Sequence, residues 1–460
     1  MEDLASRIAK WAVDLSFSRL PGDVIEEAKK RIVDTLGVAV GAFYEEPPSI
    51  ARWIARSSSS SRLAATIWGT RSMGPADHVT FANGCAARYF DFNDTYLSKE
   101  ALHPSDNIPP VMAAAELSEA DGRAVIEGVV AAYEVTARLA DAYSVRGKGW
   151  DHVVYIAIAS AVGAGKVLGL DEEKMRHAIN LATVNAAALR QTRAGELSMW
   201  KGCAAANAAR NGLFAALLAW KGMTGPSPIF EGEFGFFRVA LGGETFSLPV
   251  MGGEKGEPYK ILQTSIKFWP VEYHAMSAVE AALKVREKAG QITPDNIAAV
   301  NVETFTVGYN IIVKDPEKWD PRTRETADHS LPYIVAAALL DGKVWLDTFR
   351  PQRYLADDVR KVMKSMKVSV NAEYDKVYPE GIRNTVTVQL RDGRTFSETS
   401  TYPPGHFKNP LTRAGVEEKF RKLTLERLGE QRLRLALDIL WGIEKCANMS
   451  RALRELAIED

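Results

Sequence analysis

Cysteine is nearly absent from this chain of 460 residues: Cys85, Cys203 and Cys446 are the only three, with no C-x-x-C pair among them. That excludes a disulfide framework. It also argues against an iron–sulfur cluster, which takes closely spaced thiolates. Net charge is equally scarce, since 57 basic and 58 acidic residues leave a formal charge of -1. No global basic field exists for nucleic acid or an anionic membrane, so an anionic ligand would have to be met by local lysines and histidines. No apolar run approaches the roughly 18 residues of a membrane span. The acidic start Met1-Glu2-Asp3-Leu4 lacks the basic-then-apolar pattern of a secretion signal. The expectation is a cytoplasmic protein with neither nucleic-acid nor membrane partners.

Common catalytic signatures are missing too. There is no H-E-x-x-H, no G-x-S-x-G and no G-x-G-x-x-G, which removes support for zinc hydrolysis, serine-nucleophile chemistry and hydride transfer. Gly163-Ala164-Gly165-Lys166 lacks the frame of a phosphate loop and sits inside a helical pattern. No metal and no cofactor is expected.

What remains is an ordinary globular composition, 46% hydrophobic and 25% charged, in a chain long enough for two domains or one large one. The first half reads as helical. Pro21-Gly22-Asp23 opens a helix whose apolar positions Val24, Ile25, Ala28, Ile32, Val33 and Leu36 recur every three to four residues. Further helices are expected at about 109–117, 121–142 and 154–168, then from the N-cap Asp171 to about Leu189, and from about Trp200 to Gly222. Ser57 to Ser61 reads as an exposed low-complexity linker, and the Gly-rich stretch after Pro226 as a long ordered loop. Beyond about residue 267 the period changes. Alternating runs at 298–307 and 368–371, and a hairpin turning at Asp392-Gly393, are strands, with helices at 277–289, 329–340 and 356–366 between them. From Arg413 the chain is helical again. The fold class expected is mainly α: a large helical domain (1–266), an inserted smaller α+β domain (267–404) and C-terminal helices (405–460) that return to the first domain.

Chemistry concentrates in Asp91-Phe92-Asn93-Asp94-Thr95 and, after a gap, His103-Pro104-Ser105-Asp106-Asn107. Carboxylates, a hydroxyl and an imidazole on an irregular segment between helices are what an acid/base site requires. A helix cap accounts for one aspartate, not for the cluster. Lys201 stands at the start of an apolar helix, where a lysine reinforces an anion site or is simply an exposed first-turn residue. Lys267 lies among aromatics with Glu272, Tyr273 and His274 behind it, either in a ligand cleft or as a snorkelling hinge residue. His152 precedes a helix, where capping or packing is plausible. His78, His177 and His329 read as structural, and His406 is ambiguous.

Four stretches carry a more specific signal: His103-Pro104-Ser105-Asp106-Asn107, the run from Trp200-Lys201-Gly202-Cys203 to Asn211, Trp269-Pro270-Val271-Glu272-Tyr273-His274, and Ala327-Asp328-His329-Ser330-Leu331-Pro332-Tyr333. In this order, over nearly the whole length, they resemble the MmgE/PrpD family, which includes 2-methylcitrate dehydratases, cis-aconitate decarboxylases and an iminodisuccinate epimerase. The resemblance implies a helical domain with an α+β lid, a homodimer, and a metal-free site between the domains. It places catalytic groups on Asp91, Thr95, His103, His152, Lys201 and Lys267, and substrate-binding groups on Asp94, Ser105, His274 and Tyr309. The activity it implies is dehydration of a small tricarboxylate, 2-methylcitrate to 2-methyl-cis-aconitate. Decarboxylation or epimerisation of a related acid is the alternative, and a silent binding protein a lesser one. The chain departs from the decarboxylase pattern at Glu272, where that branch has histidine, and by two extra residues between Thr95 and His103.

Overall fold

A computed structural model of the chain describes residues 3–58 and 62–459, so most of the expected 57–61 linker lies outside the described residues. The chain forms two compact units. One comprises residues 1–192, 202–264 and 411–460, and the other residues 193–201 and 265–410.

The first unit is mainly α. Its helices include α1 (Leu4–Asp14), α2 (Gly22–Gly41), α3 (Glu46–Ser57), α4 (Ala76–Arg88), α5 (Ile108–Leu117), α6 (Gly122–Ala142), α7 (Val153–Val167), α8 (Glu172–Val184) and α9 (Ala204–Trp220). Asp121 caps α6 and Asp171 caps α8 through their carboxylates, each satisfying amides that a helix leaves open. The Ala- and Gly-rich helices α4, α6, α7 and α9 pack against one another at distances only small residues permit. A Cβ on Gly84 would stand 2.7 Å from the Ala206 Cβ, and one on Gly212 would stand 2.5 Å from the Ala157 carbonyl oxygen.

Three details differ from the sequence expectation. The helix from Asp171 stops at Val184, because residues 188–190 are drawn into backbone bonds with 149–151: Asp151 N donates to Ala188 O at 2.9 Å and Arg190 N to Gly149 O at 2.9 Å. The helix expected from Trp200 begins at Ala204, preceded by a single 3-10 turn at Met199–Gly202. The unit also contains short strands: β1 (Ala64–Thr66) pairs with β2 (Met73–Pro75), and β3 (Asp94–Leu97) pairs with β4 (Ala101–Leu102).

The second unit is α+β. In chain order it contains α10 (Met276–Ala289), β5 (Ile297–Thr304), α11 (Thr306–Ile312), α12 (Leu331–Asp341), α13 (Asp357–Lys364), β6 (Met366–Val370), β7 (Asn384–Leu390) and β8 (Thr395–Ser400). The sheet order is β6-β5-β7-β8, with β5 and β6 parallel and the other pairs antiparallel. Gly393, with φ of 93°, makes the tight turn between β7 and β8. Helices α10 and α12 pack together, with α10 also on β7 and β8. The chain then returns to the first unit as α14 (Arg413–Trp441), laid along α2. Among the described residues no helix is long and apolar enough to cross a membrane.

Candidate active site

In the first unit, α4 ends at Arg88 and the chain turns through Asp91, whose φ of 50° is left-handed. Aspartate enters this region more readily than most residues, and here the turn is held by ion pairs and hydrogen bonds. Asp91 caps no helix. Its carboxylate is ion-paired with the buried guanidinium of Arg88, which also lies 3.9 Å from Asp106. Asn93 donates to Ser105 Oγ at 2.9 Å and to Asp106 Oδ1 at 3.2 Å, and Ser105 N donates to Asp94 Oδ1 at 3.0 Å. Asp94 and Ser105, read from the sequence as substrate contacts, therefore tie the two halves of the loop together.

The β3–β4 hairpin brings Thr95 back against His103. His103 Nδ1 stands 2.6 Å from the Asp94 carbonyl oxygen and 3.3 Å from Thr95 Oγ1. A carbonyl can only accept, so Nδ1 carries a hydrogen; when the ring is neutral, the lone pair is on Nε2. The His152 ring lies edge-on to it, with centroids 5.8 Å apart. His152 Nδ1 is 3.0 Å from Asp151 Oδ1, and that carboxylate is completely buried. The partner orients the ring and offsets the charge of an imidazolium formed there. The bonds from residues 188–190 that shorten α8 thus set the backbone that presents this pair.

In the second unit, Lys201 and Lys267 are 1% and 0% exposed, which overturns both the first-turn surface reading of Lys201 and the snorkelling reading of Lys267. Lys201 Nζ is 3.6 Å from Asp328 Oδ1. The same carboxylate takes His329 Nδ1 at 2.5 Å and Arg324 at 3.1 Å. Burial pushes the Asp328 pKa up, but Lys201, His329 and Arg324 together bring it below the ordinary value. His329, assigned from the sequence to a structural role, belongs to this charged cluster. The signal was present in the motif Ala327-Asp328-His329, but a lone histidine before a helix carries no sign of a buried carboxylate beside it.

Glu272 caps the turn Tyr273–Ala275, accepting from His274 N at 2.8 Å and facing His274 Nδ1 at 2.7 Å. Burial raises its pKa, yet the His274 charge and hydrogen bond, with His329 and Lys267 further off, pull it down to about 2. The negative charge of Glu272 is thus met by His274 and is not a free repulsive group. His274 also packs on Phe305 and Tyr378, with centroids 5.4 and 5.7 Å away. Tyr309 lies half-buried on α11. His406 is buried among Tyr273, Tyr402 and Phe407 and held near 4 by that burial, which makes it a core histidine.

The chain matches a family model of the MmgE/PrpD N-terminal domain over residues 6–249 and one of the MmgE/PrpD C-terminal domain over residues 269–442. The 2-methylcitrate dehydratase of Salmonella typhimurium is 30% identical over 399 residues, covering 82% of this chain and 80% of that protein. The 2-methylcitrate dehydratase of Escherichia coli O157:H7 is 32% identical over 362 residues, covering 74% and 73%. The cis-aconitate decarboxylase of Mus musculus is 26% identical over 476 residues, covering 97% and 92%.

Proposed function

The chain belongs to the MmgE/PrpD family, and from that premise we propose that it is a hydro-lyase acting on a small tricarboxylate, 2-methylcitrate before others. The observation that carries the reading is the pair of imidazoles. His103 is held by the Asp94 carbonyl with Nε2 as acceptor, and His152 is backed by the buried Asp151. Dehydration needs both functions. A base takes the proton α to a carboxylate, the C–O bond on the neighbouring carbon breaks, and an acid gives the departing hydroxide its proton so that it leaves as water.

His103 Nε2 is the base in this scheme and His152 the acid. Asp91, whose carboxylate is committed to Arg88, holds the turn and leaves proton delivery to His152. Thr95 hydrogen-bonds a substrate oxygen. Lys201 and Lys267 hold carboxylates and offset the charge that builds on them as the carbon proton leaves. Asp94 and Ser105 act by shaping the loop, while His274 and Tyr309 contact substrate. The product is 2-methyl-cis-aconitate, as in propionate catabolism, and the working form is a cytoplasmic homodimer, checked by light scattering as twice the 50.5 kDa chain.

The deciding experiment follows formation of the conjugated double bond by ultraviolet absorbance. The purified protein is given 2-methylcitrate, citrate, cis-aconitate and iminodisuccinate in turn, with carbon dioxide measured alongside. The expected result is dehydration of 2-methylcitrate with slower action on citrate, since filling a pocket with one methyl gains only ~1–3 kcal/mol. Carbon dioxide from cis-aconitate without dehydration would replace this reading by a decarboxylase. Tight binding without turnover would replace it by a binding protein.

A further inference from the structure

We propose that Lys419, on the C-terminal helix, is a positioning residue for the reaction proposed above: paired with Asp34, it grips the Phe92 carbonyl and so holds the Asp91–Thr95 turn and, through it, His103. The proposal rests on that hydro-lyase reading for its kinetic part only.

Lys419 Nζ stands 2.7 Å from Asp34 Oδ1, 2.6 Å from the Phe92 carbonyl oxygen and 3.8 Å from the centroid of the Phe92 ring. Lys419 is 4% exposed and Asp34 3%. Burial pushes the lysine pKa down and the aspartate pKa up, and each is pulled back by the other. Helix α14 cannot slide to relax this contact, because Phe420 fills the place where a Cβ on Gly37 of α2 would lie, 2.7 Å from its ring.

A buried ion pair of this kind is weak evidence for stability, since an apolar pair of similar volume often serves as well. What an apolar pair would not supply is a donor for Phe92, whose carbonyl lies between Asp91 and Asp94. The turn at the left-handed Asp91 leads directly into Phe92 and Asp94, and the Asp94 carbonyl is the group that sets the His103 tautomer. Lys419 fixes this segment on one side of Asp91, as Arg88 does on the other.

The test compares Asp34→Asn with the double variant Asp34→Asn/Lys419→Met in the full chain, both checked for a native far-ultraviolet spectrum and melting curve. Asp34→Asn keeps the Lys419 amine, which still donates to Phe92, so kcat stays within about threefold of wild type. The double variant loses the donor without leaving a buried charge. Its kcat falls about a hundredfold while KM changes by no more than about threefold, the signature of misplaced catalytic groups. The second readout needs no turnover. In 15N-histidine spectra, with the His103 signal assigned by its loss in His103→Gln, wild type and Asp34→Asn show the Nδ1–H tautomer and the double variant shows a mixture.

A folded double variant with wild-type kcat and an unchanged His103 signal would overturn the proposal. So would Asp34→Asn losing as much as the double variant, which would mean that the pair acts through general stability. If wild type turns over no tricarboxylate, the hydro-lyase reading fails and the histidine spectra alone decide the role of Lys419.

Discussion

Glu272→Gln isolates one charge whose environment is well defined. In the wild-type chain its carboxylate accepts from the His274 amide and faces His274 Nδ1, and its pKa falls from the ordinary 4.5 to about 2. That gap corresponds to about 3 kcal/mol of folded-state stabilisation. The sign follows from the depressed value. The contribution is complete above pH 4.5, where the unfolded carboxyl is ionised, and is lost as pH falls from 4.5 towards 2. Glutamine keeps the shape and can retain one of the two bonds, so the loss at pH 7 should be about 2–3 kcal/mol. The assay is urea unfolding of both proteins at half-unit steps from pH 7 to pH 3. The gap between wild type and variant should be wider at pH 5 than at pH 3, narrowing steadily below pH 4.5. A gap that stays constant to pH 3 would refute the ion-paired account of Glu272.

Three further outcomes are expected. His103→Gln keeps approximate size but removes the Nε2 base, so turnover should collapse while the protein stays folded and binds substrate; retained turnover with an unchanged pH profile would reject His103 as the base. Lys267→Met preserves volume and removes the charge, costing roughly 2–4 kcal/mol in kcat/KM, the scale of one preorganised charge-stabilising donor; near-normal kcat/KM would return Lys267 to a structural role. Enzyme purified in air and treated with chelator should keep its rate, because the sequence lacks paired cysteines and zinc-type spacing; activity recovered only on adding a divalent ion would contradict this.

Much of the helical layout was legible because periodicity and caps are local. Asp121, Asp171, and the Gly393 turn stand where the sequence placed them. The misses have separate causes. Residues 185–189 have helix-compatible composition, but tertiary pairing with 149–151 competes for their amides and wins. The β3–β4 hairpin is only two residue pairs long, too short to show alternation. Lys201 and Lys267 stand out by their charge, yet a sequence cannot tell a buried ammonium from a snorkelling one, since the four-carbon stem suits both.

The sequence by itself determined the family, the mainly α class and the short list of groups able to move a proton, since these depend on residue type, order and period. Tertiary structure decided what each of those groups touches. The Asp94 carbonyl selects the His103 tautomer, Asp151 backs His152, Arg88 claims Asp91, and His274 claims Glu272. Each choice depends on a hydrogen bond or ion pair only a few ångströms long, with partners set by folding. The bond from Lys419 to Phe92 spans 327 positions of the chain, and no spacing rule reaches that far.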